Sequence, residues 1–249
     1  PMIKAFSRAI AQLSDPRLRR VFWTGVIGSA VVFALLWGGI AVFLSSTDYL
    51  HFSIFGYPIS LDFISDILGN LAAAVLTWLL FPSVITLVAS LFLEDVAAAV
   101  EDRHYPGLAA PRKQQISEIL WITLKFAAIG IVLNILALPL IIILIFFPPF
   151  NLFVFYGLNG YLLGREYFEL VGHRRFDPRT ARRVRRRFRG QVFVAGVLIA
   201  IMLTVPIVNL IAPIIATAAM VHLLHGWRDR LGPAEQGPGF EDHSLEIRD

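Results

Sequence analysis

Residues 21–44, VFWTGVIGSAVVFALLWGGIAVFL, run for 24 positions without one charged side chain. At about 1.5 Å per residue a helix of that length reaches roughly 36 Å, enough to cross a hydrocarbon core of about 30 Å with some tilt. Asp15-Pro16 stands just upstream, a capping residue followed by a first-turn proline, and predicts where the helix starts. Arg17, Arg19 and Arg20 then fall in its first turns. The spacing predicts a spanning helix over 16–44.

Composition extends that reading to the whole chain. Of the 249 residues, 57% are hydrophobic and 16% charged, where soluble domains carry about 25% charge. A soluble globule of this size cannot hide that much apolar surface or coat it with so few charges. Whole-chain disorder is excluded, because it requires low hydrophobicity. The absence of Cys excludes a disulfide scaffold, thiolate metal sites and thiol nucleophiles. An all-α integral membrane protein is the class that remains.

Working outward, residues 2–13 place Ile3, Phe6, Ile10 and Leu13 on one helical face, with Lys4, Arg8 and Gln12 among the polar positions. That predicts a short helix lying in the membrane interface. It lacks the long apolar centre and small-residue cleavage site of a signal peptide. Residues 45–66 read as a loop, and 67–93 as a second spanning helix kinked near Pro82. Residues 94–118 are polar.

The third apolar region, 119–163, carries Lys125 as its only charge and breaks at Pro148-Pro149-Phe150-Asn151. Its second arm, 152–163, is about 18 Å as a helix and too short to span. The fourth, 192–224, is uncharged and breaks at Pro206-Ile207-Val208-Asn209-Leu210, leaving arms of roughly 21–23 Å. Both breaks carry Pro followed by Asn-Leu. Short, Pro-interrupted segments in corresponding places mark the working parts of transporters. The reading is a single membrane domain over 1–230, with spanning helices at 16–44 and 67–93 and partly inserted hairpins at 119–163 and 192–224. Residues 165–191 form a basic helical region and 231–249 a disordered tail. Six ordinary spans are the alternative, and charge counts do not separate the two.

Lys and Arg number 5 in residues 1–20, none in 45–66, 3 in 94–118 and 10 in 165–191. The bias predicts cytoplasmic termini, with 94–118 and 165–191 on the same side and 45–66 outside. The run Arg182, Arg183, Arg185, Arg186, Arg187 and Arg189 follows a second helix start, Asp177-Pro178. It reads as a topology anchor touching anionic lipid, or as a vestibule attracting anions. Nucleic acid is not an expected partner beside membrane segments.

No catalytic set stands out, and no enzyme activity or cofactor is expected. No phosphate-cradling glycine loop is present, so ATP-driven transport by this chain alone is not expected. His222 and His225 lack a third ligand nearby, which favours packing over metal. Arg165 and Glu169 have the i,i+4 spacing of a structural ion pair. Polar residues inside apolar runs are costly and point to a path or to helix–helix contacts. They are Asn70, Thr77, Thr86, Lys125, Asn134, Asn159, Thr204 and Asn209. Asn209 could cap a half-helix or face a solute, and Asn151 at the other break could line the path. The start at Asp15–Arg20 is the sharpest anion-site candidate. Helix N–H groups, the dipole and two guanidinium forks converge there.

Ser14-Asp15-Pro16-Arg17-Leu18-Arg19-Arg20-Val21 resembles the start of the first long helix in CysZ-type sulfate permeases. Pro206-Ile207-Val208-Asn209-Leu210-Ile211-Ala212-Pro213 is similar to that family's C-terminal hairpin, and Trp227-Arg228-Asp229-Arg230 to its ending. Gly164-Arg165-Glu166-Tyr167-Phe168-Glu169-Leu170-Val171 resembles the wider superfamily with the etoposide-induced membrane proteins. The resemblance implies sulfate uptake across the bacterial inner membrane for cysteine synthesis, two long spans with two partly inserted hairpins, and homo-oligomers built from dimers. The family's sulfate-binding Gly-Leu-Arg-Arg-like element falls on Leu18, Arg19 and Arg20. Arg17 replaces the glycine, which removes close backbone approach and adds a cation. Sulfate, with sulfite as a competitor, and membrane lipids are the expected partners. Asn151, Asn209, Asn134 and Lys125 are path candidates. The rival reading is a membrane-shaping, lipid-binding scaffold without selective anion flux.

Overall fold

The computed structural model describes residues 2–45, 51–54, 57–60, 71, 91–144 and 146–232. The predicted second span at 67–93, with Asn70, Thr77, Pro82 and Thr86, lies almost wholly outside the described residues, as does the tail beyond Gly232.

Helix α1, Met2–Ala11, passes through a 3-10 turn, Gln12–Ser14, into α2, Pro16–Ser45. Strands β1, His51–Ile54, and β2, Tyr57–Ser60, pair antiparallel within the segment expected to be a loop, with Ile54 opposite Tyr57. Then come α3, Leu93–His104; α4, Ile116–Leu144; and α5, Pro148–Gly172. Helices α6, Pro178–Arg187, and α7, Arg189–Thr204, are bent 86° from one another. A single turn, α8, Pro206–Asn209, leads to α9, Ala212–Gly226.

The residues fall into two compact units. One is Arg20–Leu91; the other joins the chain up to Arg19 with everything from Phe92 onward. In the second unit, α9 is the central rod, with every residue from Ala212 to His225 buried. Helices α1, α3, α5 and α7 pack around it. Helix α1 presents small residues, Ala5 and Ala9, to α9 and leaves Ile3 and Ile10 exposed. An apolar stripe left open is what a helix in the membrane interface offers to lipid.

Two described helices are long and apolar enough to cross a membrane, Pro16–Gly39 within α2 and the whole of α4. Helix α4 has 29 residues and buries none of them. Helix α7 packs back against α9 across α8. With 16 and 15 residues they reach only about 24 and 22 Å, short of a core of about 30 Å. For the other hairpin, the break falls where expected but the second arm is longer. Helix α5 continues past Leu163 to Gly172, so its 25 residues reach about 37 Å. The charges that seemed to end it are accommodated: Arg165 Nε lies 2.7 Å from Glu169 Oε1, and Tyr167, Phe168 and Val171 beside them are buried. The polar stretch 94–118 also holds a helix, α3, whose first turn carries Glu94 and Asp95 at its positive dipole end.

Helices α5 and α7 touch backbone to backbone. A Cβ on Gly196 would lie 1.8 Å from the Gly160 carbonyl oxygen and 2.7 Å from Gly164 Cα. One on Gly164 would lie 2.3 Å from the Val192 carbonyl oxygen. Gly160 and Gly164 have the four-residue spacing that lets helices approach closely in lipid. Gly196→Ala should therefore cost at least about 2 kcal/mol, because the obstructing atoms are main chain. Gly226→Ala, whose Cβ meets nothing within 4 Å, is the control and should hold or raise stability. Thermal unfolding in detergent checks this; equal midpoints for the two variants would refute the close contact.

Candidate functional site

The start of α2 is built as the sequence suggested. Asp15 Oδ1 accepts the Arg17 N–H at 2.9 Å, and the Asp15 carbonyl accepts the Arg19 N–H at 2.9 Å. Its other oxygen, Oδ2, accepts from Arg103 Nη1 at 2.6 Å. Burial pushes the Asp15 pKa up, but the Arg103 hydrogen bond, the Arg17 N–H and the two guanidinium charges outweigh it and hold the carboxyl below its ordinary range. Arg17 Nη1 pairs with Asp102 Oδ2 at 2.8 Å, in a pair two-thirds exposed on both sides and so worth little. The Leu18 side chain is buried, which leaves it no direct part in holding an anion.

Arg19 and Arg20 are exposed, and neither has an acidic partner among the described residues. Pro16 has no N–H and the Arg17 N–H is taken by Asp15, so a carboxylate already fills the helix-end cradle. An anion arriving here would be met by guanidinium side chains. Successive helical residues point about 100° apart, so two forks meet on one oxyanion only through their long, flexible stems.

Behind this helix start lies a buried polar network that the sequence reading did not anticipate. Gln12 Oε1 is 3.1 Å from His222 Nε2, and the Tyr105 hydroxyl is 2.9 Å from His222 Nδ1. Because the Gln12 oxygen only accepts, Nε2 carries the proton and the Tyr105 hydroxyl donates to Nδ1 in the neutral ring. Tyr105 stacks on His225 with ring centres 4.0 Å apart. His225 Nε2 lies 3.4 Å from Glu101 Oε1. Glu101 also receives a two-pronged contact from Arg175, Nε at 2.8 Å and Nη2 at 2.6 Å, and Arg174 Nη2 at 3.1 Å. Burial alone would raise the Glu101 pKa. Hydrogen bonds from His225 and Arg175 and the charges of Arg175 and Arg174 overcome it and hold the pKa at about 2. Val96, Ala97, Val100 and Glu101 share one helical stripe, and that spacing is the one signal that could have placed Glu101 inside. His222 and His225 thus meet Gln12, Tyr105 and Glu101 in this network.

The path candidates are not gathered at one place. Asn134 is exposed on α4 and gives its amide to the Gly130 carbonyl of its own helix. Asn159 does the same with Phe155, and the Thr204 hydroxyl with Ala200. Asn151 is half-buried in the first turn of α5, and Asn209 half-buried in α8. Helix α9 starts with Ile211 in the cap position, so Asn209 is not its cap. Lys125 is different. With Arg165, Arg182, Arg185 and Arg186 it lines a cavity of about 310 Å³. A neighbouring cavity of about 480 Å³ shares Tyr161, Arg165, Arg185 and Arg186 and adds Arg189. Asp177 caps α6 by accepting from the Arg179 and Thr180 N–H groups, as its spacing before Pro178 predicted. No described group of three or more His, Asp or Glu side chains could hold a metal ion.

Apolar helices that leave broad faces open, together with basic helix ends, define an all-α integral membrane protein. A family model described as "Sulfate transporter CysZ/Etoposide-induced protein 2.4" matches residues 5–213, most of the chain, and the protein belongs to that family. No curated protein and no solved structure matches the chain.

Proposed function

We propose that the chain is a sulfate permease that works without ATP and takes sulfate across the bacterial inner membrane for cysteine synthesis. The observation that carries this reading is the pair Arg19–Arg20, exposed and without an acidic partner among the described residues, at the start of a helix long enough to span. Membership of a sulfate-transporter family supports the substrate class. In this reading both termini, 94–118 and 165–191 are cytoplasmic and 45–66 is outside, following the positive-inside bias. The arm lengths of α7 and α9 support a hairpin at 192–224 that enters and returns. A homo-oligomer built from dimers is part of the same reading.

The test is radiolabelled sulfate flux into liposomes holding the purified protein, with sulfite, phosphate and chloride as competitors. Saturable flux inhibited by sulfite is expected. Flux no greater than in empty liposomes, from folded protein, would overturn the permease. The lipid-binding scaffold would then stand, favoured by the open apolar stripe of α1 and the basic helix α6.

A further inference from the structure

We propose that the two adjoining basic cavities between α4, α5, α6 and α7 hold the headgroup phosphate of an anionic phospholipid, a site separate from the Arg19–Arg20 pair. Charge points to an anion. Of the lining carboxylates, Glu118 is engaged by Arg112 and Glu169 by Arg165. Lys125, Arg182, Arg186 and Arg189 have no acidic partner among the described residues. Guanidinium forks suit phosphate oxygens.

Geometry points to lipid rather than to a free ion. Helix α6 lies 86° across the end of α7, whose outer face exposes Phe193, Val194, Leu198 and Ile201. If that apolar face meets acyl chains, α6 runs along the headgroup layer. The wall of the first cavity continues this arrangement: Trp121, Ile122 and Ile129 line it beside the cations. The open apolar face of α4, with Leu124 and Ile131, runs on from there. A hydrated sulfate needs no such wall, whereas acyl chains do. Thr180, Ala181 and Val184 are buried under α6, so packing fixes the helix and presents its arginines ready-made. Basic pockets between helices at the cytoplasmic end are a recurring way to bind anionic headgroups.

The test uses the full chain in neutral detergent micelles doped with phosphatidylglycerol or phosphatidylcholine, and parallel samples with inorganic sulfate or phosphate. Thermal unfolding and native mass spectrometry read binding. Phosphatidylglycerol should raise the unfolding midpoint and be retained by the wild-type protein, with phosphatidylcholine doing neither. Arg182→Gln with Arg186→Gln should weaken phosphatidylglycerol binding about thirtyfold. Arg179→Gln with Arg183→Gln removes equal charge from the same helix outside both cavities and should weaken it far less. Equal loss in the two pairs, equal response to the two lipids, or stabilisation by the inorganic ions matching phosphatidylglycerol would each overturn the proposal. If the double variant fails to fold, Arg182→Gln and Arg186→Gln taken singly, against Arg179→Gln and Arg183→Gln taken singly, carry the same comparison.

Discussion

Glu101→Ala should destabilise the folded protein by about 3–5 kcal/mol, because it removes the buried carboxylate on which Arg174, Arg175 and His225 converge. The side chains of Glu101, Arg174 and Arg175 are at least nine-tenths buried, so water cannot take the place of the carboxylate. Glu101→Gln keeps the shape and loses the charge, and should fall between. The same pair has a pH signature. The carboxyl pKa falls from 4.5 to about 2 on folding, so its contribution is complete above about pH 4.5 and is lost as the pH drops through about 2. The gap in unfolding midpoint between wild type and Glu101→Gln should be constant from pH 8 to 5 and shrink below pH 4.5. A gap that stays unchanged down to pH 3 and below would show that the charge is not what holds this junction.

Arg19→Ala with Arg20→Ala should abolish most of the sulfate flux while leaving the unfolding midpoint near that of the wild type. Hydrogen bonds to charged groups are worth about 1.5–3 kcal/mol each. Losing one from each guanidinium is about 3–6 kcal/mol, or at least a hundredfold in affinity. Both side chains are exposed, so the loss belongs to binding rather than folding. Arg17→Ala should do less, because Arg17 is already engaged with Asp102 and the Asp15 carboxylate fills the helix end. Flux that survives the double substitution would discard this site and leave the permease intact.

What the sequence made legible was local. Asp15-Pro16 and Asp177-Pro178 announced two helix starts, because a capping carboxylate and a proline act within one turn. The i,i+4 spacing announced the Arg165–Glu169 pair. Proline marked both breaks. What stayed hidden depended on partners far along the chain. The end of α5 was misplaced because charges were taken to close an apolar helix, whereas here an ion pair and buried Tyr167, Phe168 and Val171 carry it on. Glu101 meets arginines 73 and 74 residues away, which no short window contains. Lys125 was singled out for being charged in an apolar run, and its companions on α6 appear only after folding.

The contact of Gly160 and Gly164 with Gly196 bears on how such a molecule could move. With no side chain between them, the two main chains are in register like cogs, and neither helix can slip along the other without collision. Because the joined helices come from different hairpins, a tilt imposed on α5 is handed on to α7 nearly undiminished. In the proposed permease this pair would act as a single lever. In the proposed permease, movement would fall instead to helices without such a grip, such as α4, which buries none of its residues.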